Sequence, residues 1–523
     1  MDKLKKGRLL EIFIVILGST GIVLAVVLGL GTLTAGFHMV DDHEFLEWTY
    51  GLQTGQYSLL ELIRSVLSRD ITLRYEPFYY MMRIIGTYLF GYNTVAFSII
   101  KAIQIVISMV FLYACGKEMG ASRFFSVLFS LTALMGYQSA AWWKLGPQES
   151  QCTMLFSVGF FFLLRYLKNK KIWQGVISLL FFIVMCQYKE SFILLLPFII
   201  LYIVYDRIKV FDRLPEIKVI MKELKQDYWI IGVLAMVFIA LVSVIMLISG
   251  GGDNYDGFGI SSLSGCIENH IHSFSGDLKW YARFSPLFIA IMLTYWEEFK
   301  KLWKEIILLL AFLGPQFLVF SGTGIGERYM LPSTIGYAWF FIIVISKWKP
   351  LSGKRRIVYT AGLILMLAAN IRAMAIEADY YRYRGESVTA MLEAVDEISD
   401  EETNILSCFF PNIEGNMTVH YWYDLHGKNN VYYWYEDDGV INQVFDPNMW
   451  IADNSVSEQQ DFGKMDIVIL YNQDDRHWCY DPSLDASGFD ITKCGSMTIW
   501  TKKEKIEKPQ VKEIRDYFYA MER

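Results

Sequence analysis

Apolar runs of membrane-spanning length recur along the first 375 residues of the chain. The first run, residues 9–35, is longer than the about 20 residues that an α-helix needs to cross a bilayer. Ten further runs follow, at residues 95–114, 124–141, 152–167, 172–187, 190–205, 228–248, 281–296, 305–320, 330–346 and 357–373. The pattern predicts a polytopic α-helical membrane protein with about eleven transmembrane helices.

Charges on the connections between these runs alternate in sign. Lys3, Lys5, Lys6 and Arg8 precede the first run, and further basic clusters lie near residues 117–123, 168–171, 207–225, 300–304 and 347–356. The connections at 36–94 and 249–279 are net acidic. The positive-inside rule therefore predicts a cytoplasmic N-terminus in a multi-pass cytoplasmic membrane protein. The first run is too long for a secretory signal and lacks a small-residue cleavage site, so we interpret it as a retained anchor.

The stretch from residue 172 to 205 is the hardest part of this topology to assign. Gln187-Tyr188-Lys189-Glu190 interrupts it, and basic clusters flank it on both sides. Because both flanking clusters are predicted to lie on the cytoplasmic side, the chain must cross the membrane an even number of times between them. We therefore predict two short helices, with Lys189 and Glu190 at the outer turn.

The first outer loop, residues 36–94, is long enough to carry helices of its own. Residues 59–69 alternate apolar and charged positions with helical spacing. This pattern is typical of a helix lying on the membrane surface, and a helix packed on another domain is the alternative. Pro77 predicts the start of a second helix that continues to residue 90.

The character of the chain changes after the eleventh run. Residues 376–523 contain no further run and are rich in Asp, Glu, Asn and Tyr. A helical pattern covers 388–398, and strand-like segments lie at 404–410, 431–435, 466–471 and 497–502. Alternating segments of this kind predict a C-terminal α/β domain, which an odd number of crossings places outside the cytoplasm (extracytoplasmic). A structural disulfide between Cys479 and Cys494 is one option for this domain.

The composition agrees with a membrane protein. Hydrophobic residues make up 54% of the 523 residues, above the roughly 45–50% that is usual for soluble domains. The net charge of −6 gives no reason to expect nucleic acid as a partner. The seven cysteines show neither a CxxC pair nor zinc spacing.

Asp41-Asp42-His43-Glu44 is the first candidate for chemistry, because it follows the first apolar run directly. A carboxylate there could take a proton from an acceptor hydroxyl, or hold a divalent cation such as Mg²⁺ or Mn²⁺. Adjacent residues of an extended segment point in different directions, so Asp41 and Asp42 would have different roles. The alternative is that one of them caps the helix that begins near Glu44.

The second candidate is the segment 324–332, at the predicted outer mouth of the ninth and tenth runs. Its Arg328, between Glu327 and Tyr329, could hold a phosphate through paired hydrogen bonds. The alternative is an arginine that extends to the lipid headgroups. In the predicted outer loop at residues 249–279, His270 and His272 are spaced to face one side of an extended chain, but two ligands are weak grounds for a metal site.

Two further candidates lie at other predicted outer turns. Trp143 could form an aromatic wall for a sugar or lipid, with Lys144 and Glu149 as polar contacts, or it could be an ordinary residue of the aromatic belt. Lys189 and Glu190 could bind a phosphate, or could compensate each other's charge.

Taken together, these motifs resemble the GT-C superfamily of integral membrane glycosyltransferases, whose members include protein O-mannosyltransferases and lipid A aminoarabinose transferases. The resemblance covers roughly residues 1–375. It rests on Asp41-Asp42 after the first crossing, on the long first outer loop, and on Glu327-Arg328-Tyr329-Met330-Leu331-Pro332, which is similar to an Arg-Tyr-x-x-Pro run. Asp42 stands where many members have Glu, which leaves open which acid is catalytic. The chain has no WWD motif of the oligosaccharyltransferase type, so transfer of whole glycans to asparagine is not expected.

This resemblance implies transfer of a sugar from a polyprenyl-phosphate donor to an acceptor outside the cytoplasm. The acceptor would be a cell-envelope glycan, a lipid-linked saccharide or a protein of a bacterial cell. Asp41 or Asp42 would be the base, and a metal, if any, would bind there. Arg328, Lys189, Lys144 and Arg74 would bind the donor phosphate, and the substrate contacts would be Glu44, Glu149, Glu190, Glu327, Tyr329 and Trp143. A transporter or flippase of lipid-linked saccharides and a non-catalytic membrane scaffold are the alternatives.

Overall fold

The computed structural model of the chain describes residues 2–73, 75–211, 214–249, 283–319, 331–348, 351–410, 412–435, 440–442, 461–472 and 484–518. Several residues singled out in the sequence lie outside these ranges: Arg74, His270, His272, Glu327, Arg328, Tyr329 and Cys479. The expectations attached to them stay predictions.

The described part of the chain is mostly helical. Its α-helices are α1 (Asp2–Gly29), α2 (His43–Gln53), α3 (Leu59–Leu73), α4 (Pro77–Phe90), α5 (Thr94–Glu118), α6 (Arg123–Leu134), α7 (Ala140–Trp143), α8 (Glu149–Asn169), α9 (Ile172–Met185), α10 (Leu195–Ile208), α11 (Ile217–Leu224), α12 (Tyr228–Ser249), α13 (Ser285–Phe299), α14 (Trp303–Val319), α15 (Leu331–Ala338), α16 (Gly353–Ile398) and α17 (Ile413–Leu425).

Each of the eleven apolar runs contains a helix, and the chain is a multi-pass membrane protein. Within the described residues, six helices are long and apolar enough to cross a bilayer. A seventh span would combine α6 with residues 137–143, which bend from it by 71°. The apolar helices Ile172–Met185 and Leu331–Lys347 are shorter. The number of eleven crossings therefore stays a prediction.

Connections that carry basic clusters meet at one end of the helices. Glu118, the last residue of α5, accepts hydrogen bonds from Arg165 and Lys168 near the end of α8, at 3.1 and 3.2 Å. Lys170 lies 2.8 Å from Asp227, which precedes α12. These contacts place the predicted same-side connections together. Which end faces the cytoplasm stays a prediction.

The first outer loop contains the two predicted helices, α3 and α4. Ser58 and Glu61 form a reciprocal cap at the start of α3: the Ser58 amide donates to Glu61 Oε2 at 2.9 Å, and the Glu61 amide donates to Ser58 Oγ at 3.4 Å. Pro77 is the first residue of α4, as predicted.

One helix, α16, runs from the membrane region into the C-terminal domain. It has 46 residues and therefore extends about 69 Å at 1.5 Å per residue. It passes without a break through residues 375–376, where we predicted a boundary, and it includes the predicted helix 388–398. The intervening sequence contains no proline that would end the helix.

The C-terminal domain contains a mixed six-stranded sheet. Its strands are β1 (Ile405–Cys408), β2 (Val431–Tyr435), β3 (Val440–Asn442), β4 (Ile467–Tyr471), β5 (Phe489–Cys494) and β6 (Met497–Lys502), in the order β3-β2-β1-β4-β6-β5. β1 is parallel to both β2 and β4, and α17 is the crossover from β1 to β2. The four predicted strands are confirmed. β3 and β5 were not predicted, and the middle of β5 is largely exposed, so it lacks a buried apolar pattern.

The first outer loop shares a hydrophobic core with this domain. Phe37, Met39 and Leu46 are buried in the same cluster as Leu392 of α16 and Tyr423 of α17. The segment after α1 is therefore held between the membrane helices and the C-terminal domain.

Candidate active site

The chain turns sharply between α1 and α2, at the predicted acidic cluster. Met39 and Asp41 both have left-handed backbone conformations, with φ values of 53° and 55°. Such conformations are uncommon for residues other than glycine, although aspartate tolerates them better than most. Because of this turn, Asp41 and Asp42 have very different surroundings.

Asp42 points into the protein and holds the turn. Its Oδ2 accepts a hydrogen bond from the His38 amide at 2.5 Å, and its Oδ1 accepts one from the Val40 amide at 3.1 Å. The residue is fully buried. It occupies the N-cap position of α2, but its side chain makes no capping hydrogen bond there. Its carboxylate therefore stabilises the turn that presents Asp41.

Asp41 is held by two other parts of the chain. Its amide donates a hydrogen bond to Glu414 Oε2 of α17, at 2.8 Å. On another side it packs against Gly146, where an added Cβ would lie only 2.6 Å from the Val40 carbonyl oxygen. Only glycine fits at position 146 without moving the turn.

An ion pair lies beside Asp41. Arg83 Nη1 of α4 lies 2.6 Å from Glu44 Oε2 and also donates to the Tyr79 hydroxyl. The guanidinium stacks over the Phe45 ring, with 4.5 Å between its Cζ and the ring centroid. Among the described residues, Arg83 Nε and Nη2 have no hydrogen-bond partner.

The charges of this group affect one another's ionisation. Burial raises the pKa of Glu44 above its ordinary value, and Arg83 opposes that effect. Burial alone would lower the pKa of Arg83, but Glu44, Tyr79 and Asp41 raise it above its ordinary value. Burial lowers the pKa of His43, which favours the neutral imidazole. Asp41 thus lies in the field of a permanently charged arginine and a buried carboxyl.

A second cluster contains the predicted residues Lys189 and Glu149. Lys189 Nζ lies 3.7 Å from Glu149 Oε1 and 3.9 Å from Glu76 Oε1. Gln148 Nε2 donates to Glu76 Oε2 at 2.7 Å. Both carboxylates are almost fully buried, and the lysine is 8% exposed. One cation is therefore shared by two acids, at distances longer than a direct hydrogen bond.

The two clusters are joined through α4 and the segment 144–149. Glu76, Tyr79 and Arg83 follow each other at intervals of three and four residues, so they share one face of the helical segment. The Tyr79 hydroxyl donates to the Gly146 carbonyl oxygen at 3.1 Å. We call the combined set the outer polar strip: Asp41, Glu44, Glu76, Tyr79, Arg83, Glu149 and Lys189.

Three other predicted site residues lie in the described part of the chain: Lys144, Glu190 and Trp143. Lys144 Nζ lies 4.5 Å from the centroid of the Tyr381 ring and is largely buried. Glu190 begins the short 3₁₀-helix Glu190–Phe192 and is half-buried. Trp143 donates from Nε1 to Ser139 Oγ at 3.1 Å. Its ring lines an apolar cavity between α1, α5, α6, α7 and α16.

Sequence reasoning missed four members of this arrangement as functional residues: Glu76, Tyr79, Arg83 and Glu414. The spacing of Glu76, Tyr79 and Arg83 after Pro77 was a usable signal, because it puts three polar groups on one helical face. Glu414 had no such signal, since its contact with Asp41 spans 373 residues.

A divalent cation held at Asp41 and Asp42 stays a prediction. Both carboxylate oxygens of Asp42 accept backbone hydrogen bonds. In the described ranges, no group of three or more His, Cys, Asp or Glu side chains is arranged to hold a metal ion.

No family model and no curated protein matches this chain. Among solved structures, ArnT from Cupriavidus metallidurans bound to undecaprenyl phosphate is 11% identical, with a TM-score of 0.45 over 94% of this chain and 99% of that one. The oligosaccharyltransferase of Archaeoglobus fulgidus in the apo form is 12% identical, with a TM-score of 0.46 over 78% of this chain and 64% of that one. Both are GT-C glycosyltransferases, the superfamily that the sequence resembles.

Proposed function

We propose that this chain is a glycosyltransferase that moves a sugar from a polyprenyl-phosphate donor to an acceptor at the outer face of a bacterial cytoplasmic membrane. The observation that carries the proposal is the outer polar strip, where a held aspartate, a buried lysine and several carboxylates converge next to membrane helices. Charged groups at such a position are costly unless they are paired or functional.

In the proposed step, an acceptor hydroxyl oxygen attacks the anomeric carbon of the donor sugar. The bond from that carbon to the phosphate oxygen breaks, and the polyprenyl phosphate leaves with the electron pair. The hydroxyl proton passes to the carboxylate of Asp41. Attack from the face opposite the phosphate inverts the anomeric configuration. A positioned base of this kind accelerates a reaction by typically 10²–10⁴-fold.

Asp41 is the better candidate for the base. Asp42 is fully buried, and both of its carboxylate oxygens accept backbone hydrogen bonds. Asp41 is held through its backbone amide, which donates to Glu414. The conformation of the turn then sets the direction of the Asp41 side chain. The neighbouring Arg83 and Glu44 keep a fixed charge pattern around it.

Negative charge develops on the departing phosphate, and Lys189 is our candidate to stabilise it. Its Nζ lies 3.7 Å from Glu149 and 3.9 Å from Glu76, and a lysine ammonium can bind a phosphate. Lys144, Arg328 and Arg74 remain candidates for further phosphate contacts. Glu44, Glu149, Glu190, Glu327 and Tyr329 are candidates for sugar hydroxyls.

A lipid-linked donor suits the apolar surroundings of the strip. Trp143, which lines the apolar cavity, is adjacent in sequence to Lys144. The apolar lining includes Val23 of α1 and Met109 of α5. A polyprenyl chain could lie among these side chains while its phosphate reaches the polar strip.

The test is sugar transfer by purified full-length protein in lipid nanodiscs. A panel of radiolabelled polyprenyl-phosphate sugars would serve as donors, with a cell-envelope extract as acceptor, with and without EDTA. We expect time-dependent transfer from at least one donor, and the comparison with EDTA shows whether transfer needs a divalent cation. Protein that shows a cooperative thermal transition but transfers from no donor would contradict the proposal and favour a transporter or scaffold.

A further inference from the structure

The C-terminal domain contributes a carboxylate directly to the turn that carries the proposed base. Glu414 Oε2 accepts a hydrogen bond from the Asp41 amide at 2.8 Å. We propose that Glu414 is a positioning residue that holds Asp41 in its catalytic orientation, so that the C-terminal domain completes the active site. This inference rests on the proposed function, because it concerns the same base.

The turn needs such support because two of its non-glycine residues are left-handed. Met39 and Asp41 have φ values of 53° and 55°. Backbone conformations of this kind persist where the surrounding structure holds them. The amides of His38 and Val40 donate to Asp42, and the amide of Asp41 donates to Glu414. Removing Glu414 would leave the Asp41 amide without its described acceptor.

Glu414 is itself firmly placed. It lies in the first turn of α17, where Asn412 Oδ1 accepts a hydrogen bond from the Gly415 amide at 3.1 Å. Ser407 of β1 donates from Oγ to Asn416 Oδ1 at 2.7 Å. A Cβ added at Gly415 would lie 2.9 Å from the Phe409 ring, so the helix packs tightly against the end of β1. The carboxylate is thus connected to the central strand of the sheet.

The contact also lies inside a packed interface. Trp422 of α17 meets the Phe37 ring edge-on, with 6.0 Å between centroids, and meets the Tyr92 ring at 5.7 Å. Phe37 and Tyr92 lie at the two ends of the first outer loop. Because α17 contacts both ends of this loop through Trp422, Glu414 has a defined position relative to Asp41.

The first test compares Glu414→Ala with Glu414→Gln in the transfer assay. The alanine removes the acceptor, whereas the glutamine keeps an acceptor oxygen. We expect E414A to lower kcat by about 10- to 100-fold, because a displacement of about 1 Å at a reacting group can have an effect of that size. We expect KM for the donor to change little, and E414Q to keep most of the wild-type rate. Glu393→Ala, at an exposed position of α16 in the same domain, is the matched control.

A second measurement does not depend on activity. Hydrogen–deuterium exchange of a peptide spanning residues 38–45 should be faster in E414A than in wild type, and close to wild type in E414Q and E393A. Exchange and kcat that both match wild type in E414A would overturn the inference. Faster exchange with an unchanged kcat would overturn the positioning role. The positioning role would also be contradicted if E414Q lost as much transfer as E414A while exchange in E414Q stayed at the wild-type rate.

These outcomes separate the inference from the proposed function. Wild-type protein that transfers from no donor contradicts the proposed function and removes the catalytic part of the inference. The exchange comparison then still decides whether Glu414 holds the turn.

Discussion

The two ends of the membrane helices use charged residues in opposite ways. At the end with the basic clusters, one acid, Asp227, is held by two cations: Lys170 at 2.8 Å and Arg207 Nε at 2.8 Å. At the other end, one cation, Lys189, is shared by two acids, at 3.7 and 3.9 Å. These cation–acid distances are shorter at the first end than at the second.

We assign the two cation sites different roles: Lys170 and Arg207 hold Asp227 in a structural ion pair, whereas Lys189 is proposed to bind the donor phosphate. Burial alone would raise the pKa of Asp227, but hydrogen bonds from Arg207 and Lys170 lower it below its ordinary value. This acid is fully satisfied by its partners and anchors two connections. Lys189 is the buried cation of the outer polar strip, and in the proposed reaction it meets the donor phosphate.

The sharpest test of this comparison replaces one lysine at each end. In Lys189→Met we expect transfer to fall by about 10²–10³-fold, which is the usual effect of removing one group that stabilises developing charge. In Lys170→Met we expect transfer to stay near wild type, because Asp227 keeps Arg207. Initial rates at saturating donor, normalised to folded protein, give the measurement. Equal losses in both variants would remove the distinction between the two ends.

The ion pair of the outer polar strip should depend on both partners. Arg83→Leu should destabilise the protein by about 3–5 kcal/mol, because it leaves the buried Glu44 carboxylate without its cation. The double variant Arg83→Leu/Glu44→Leu should recover most of that stability without recovering transfer. Chemical unfolding in detergent measures the stability. A double variant as unstable as the single one would contradict the pairing.

Gly146 tests how closely the turn and the segment 144–149 fit together. Gly146→Ala should lower transfer by about 10-fold or more, because the added methyl group would displace Val40 and Asp41. Gly232→Ala, on a membrane helix with open space around it, is the control and should be neutral. A normal rate in G146A would show that the position of Asp41 tolerates movement.

The smallest expected effect concerns pH and the C-terminal domain. Burial raises the pKa of Asp424 to about 6. Because this pKa lies above the unfolded value, the stability contributed by the protonated acid is present at low pH and is lost as the pH rises through about 6. Asp424→Asn should therefore raise the Tm at pH 7.5 and have little effect at pH 4. A larger gain at pH 4 would contradict this sign.

Much of the fold could be predicted because it depends on local patterns. Apolar runs indicated the membrane helices, and Pro77 indicated the start of α4. β5 was missed because its middle is exposed. The domain boundary near residue 375 stays a prediction, and α16 passes through that position without a break.

The site was harder to predict because it depends on contacts between distant residues. The acidic cluster, Lys189 and Glu149 were singled out in the sequence, the last two in separate motifs. The different roles proposed for Asp41 and Asp42 follow from left-handed backbone conformations that their residue types do not reveal. Arg83 pairs with Glu44 across 39 residues, so neither residue indicates the other.

The most direct test of the central claim compares Asp41→Asn with Asp42→Asn in the nanodisc transfer assay, together with the thermal stability of each variant. We expect D41N to keep its Tm and to lose transfer by about 10²–10⁴-fold. We expect D42N to lose stability, because its amide cannot accept both backbone hydrogen bonds and an unsatisfied buried group costs about 1–3 kcal/mol. A D41N protein that transfers at the wild-type rate, or a D42N protein that is stable but inactive, would contradict the assignment of Asp41 as the base.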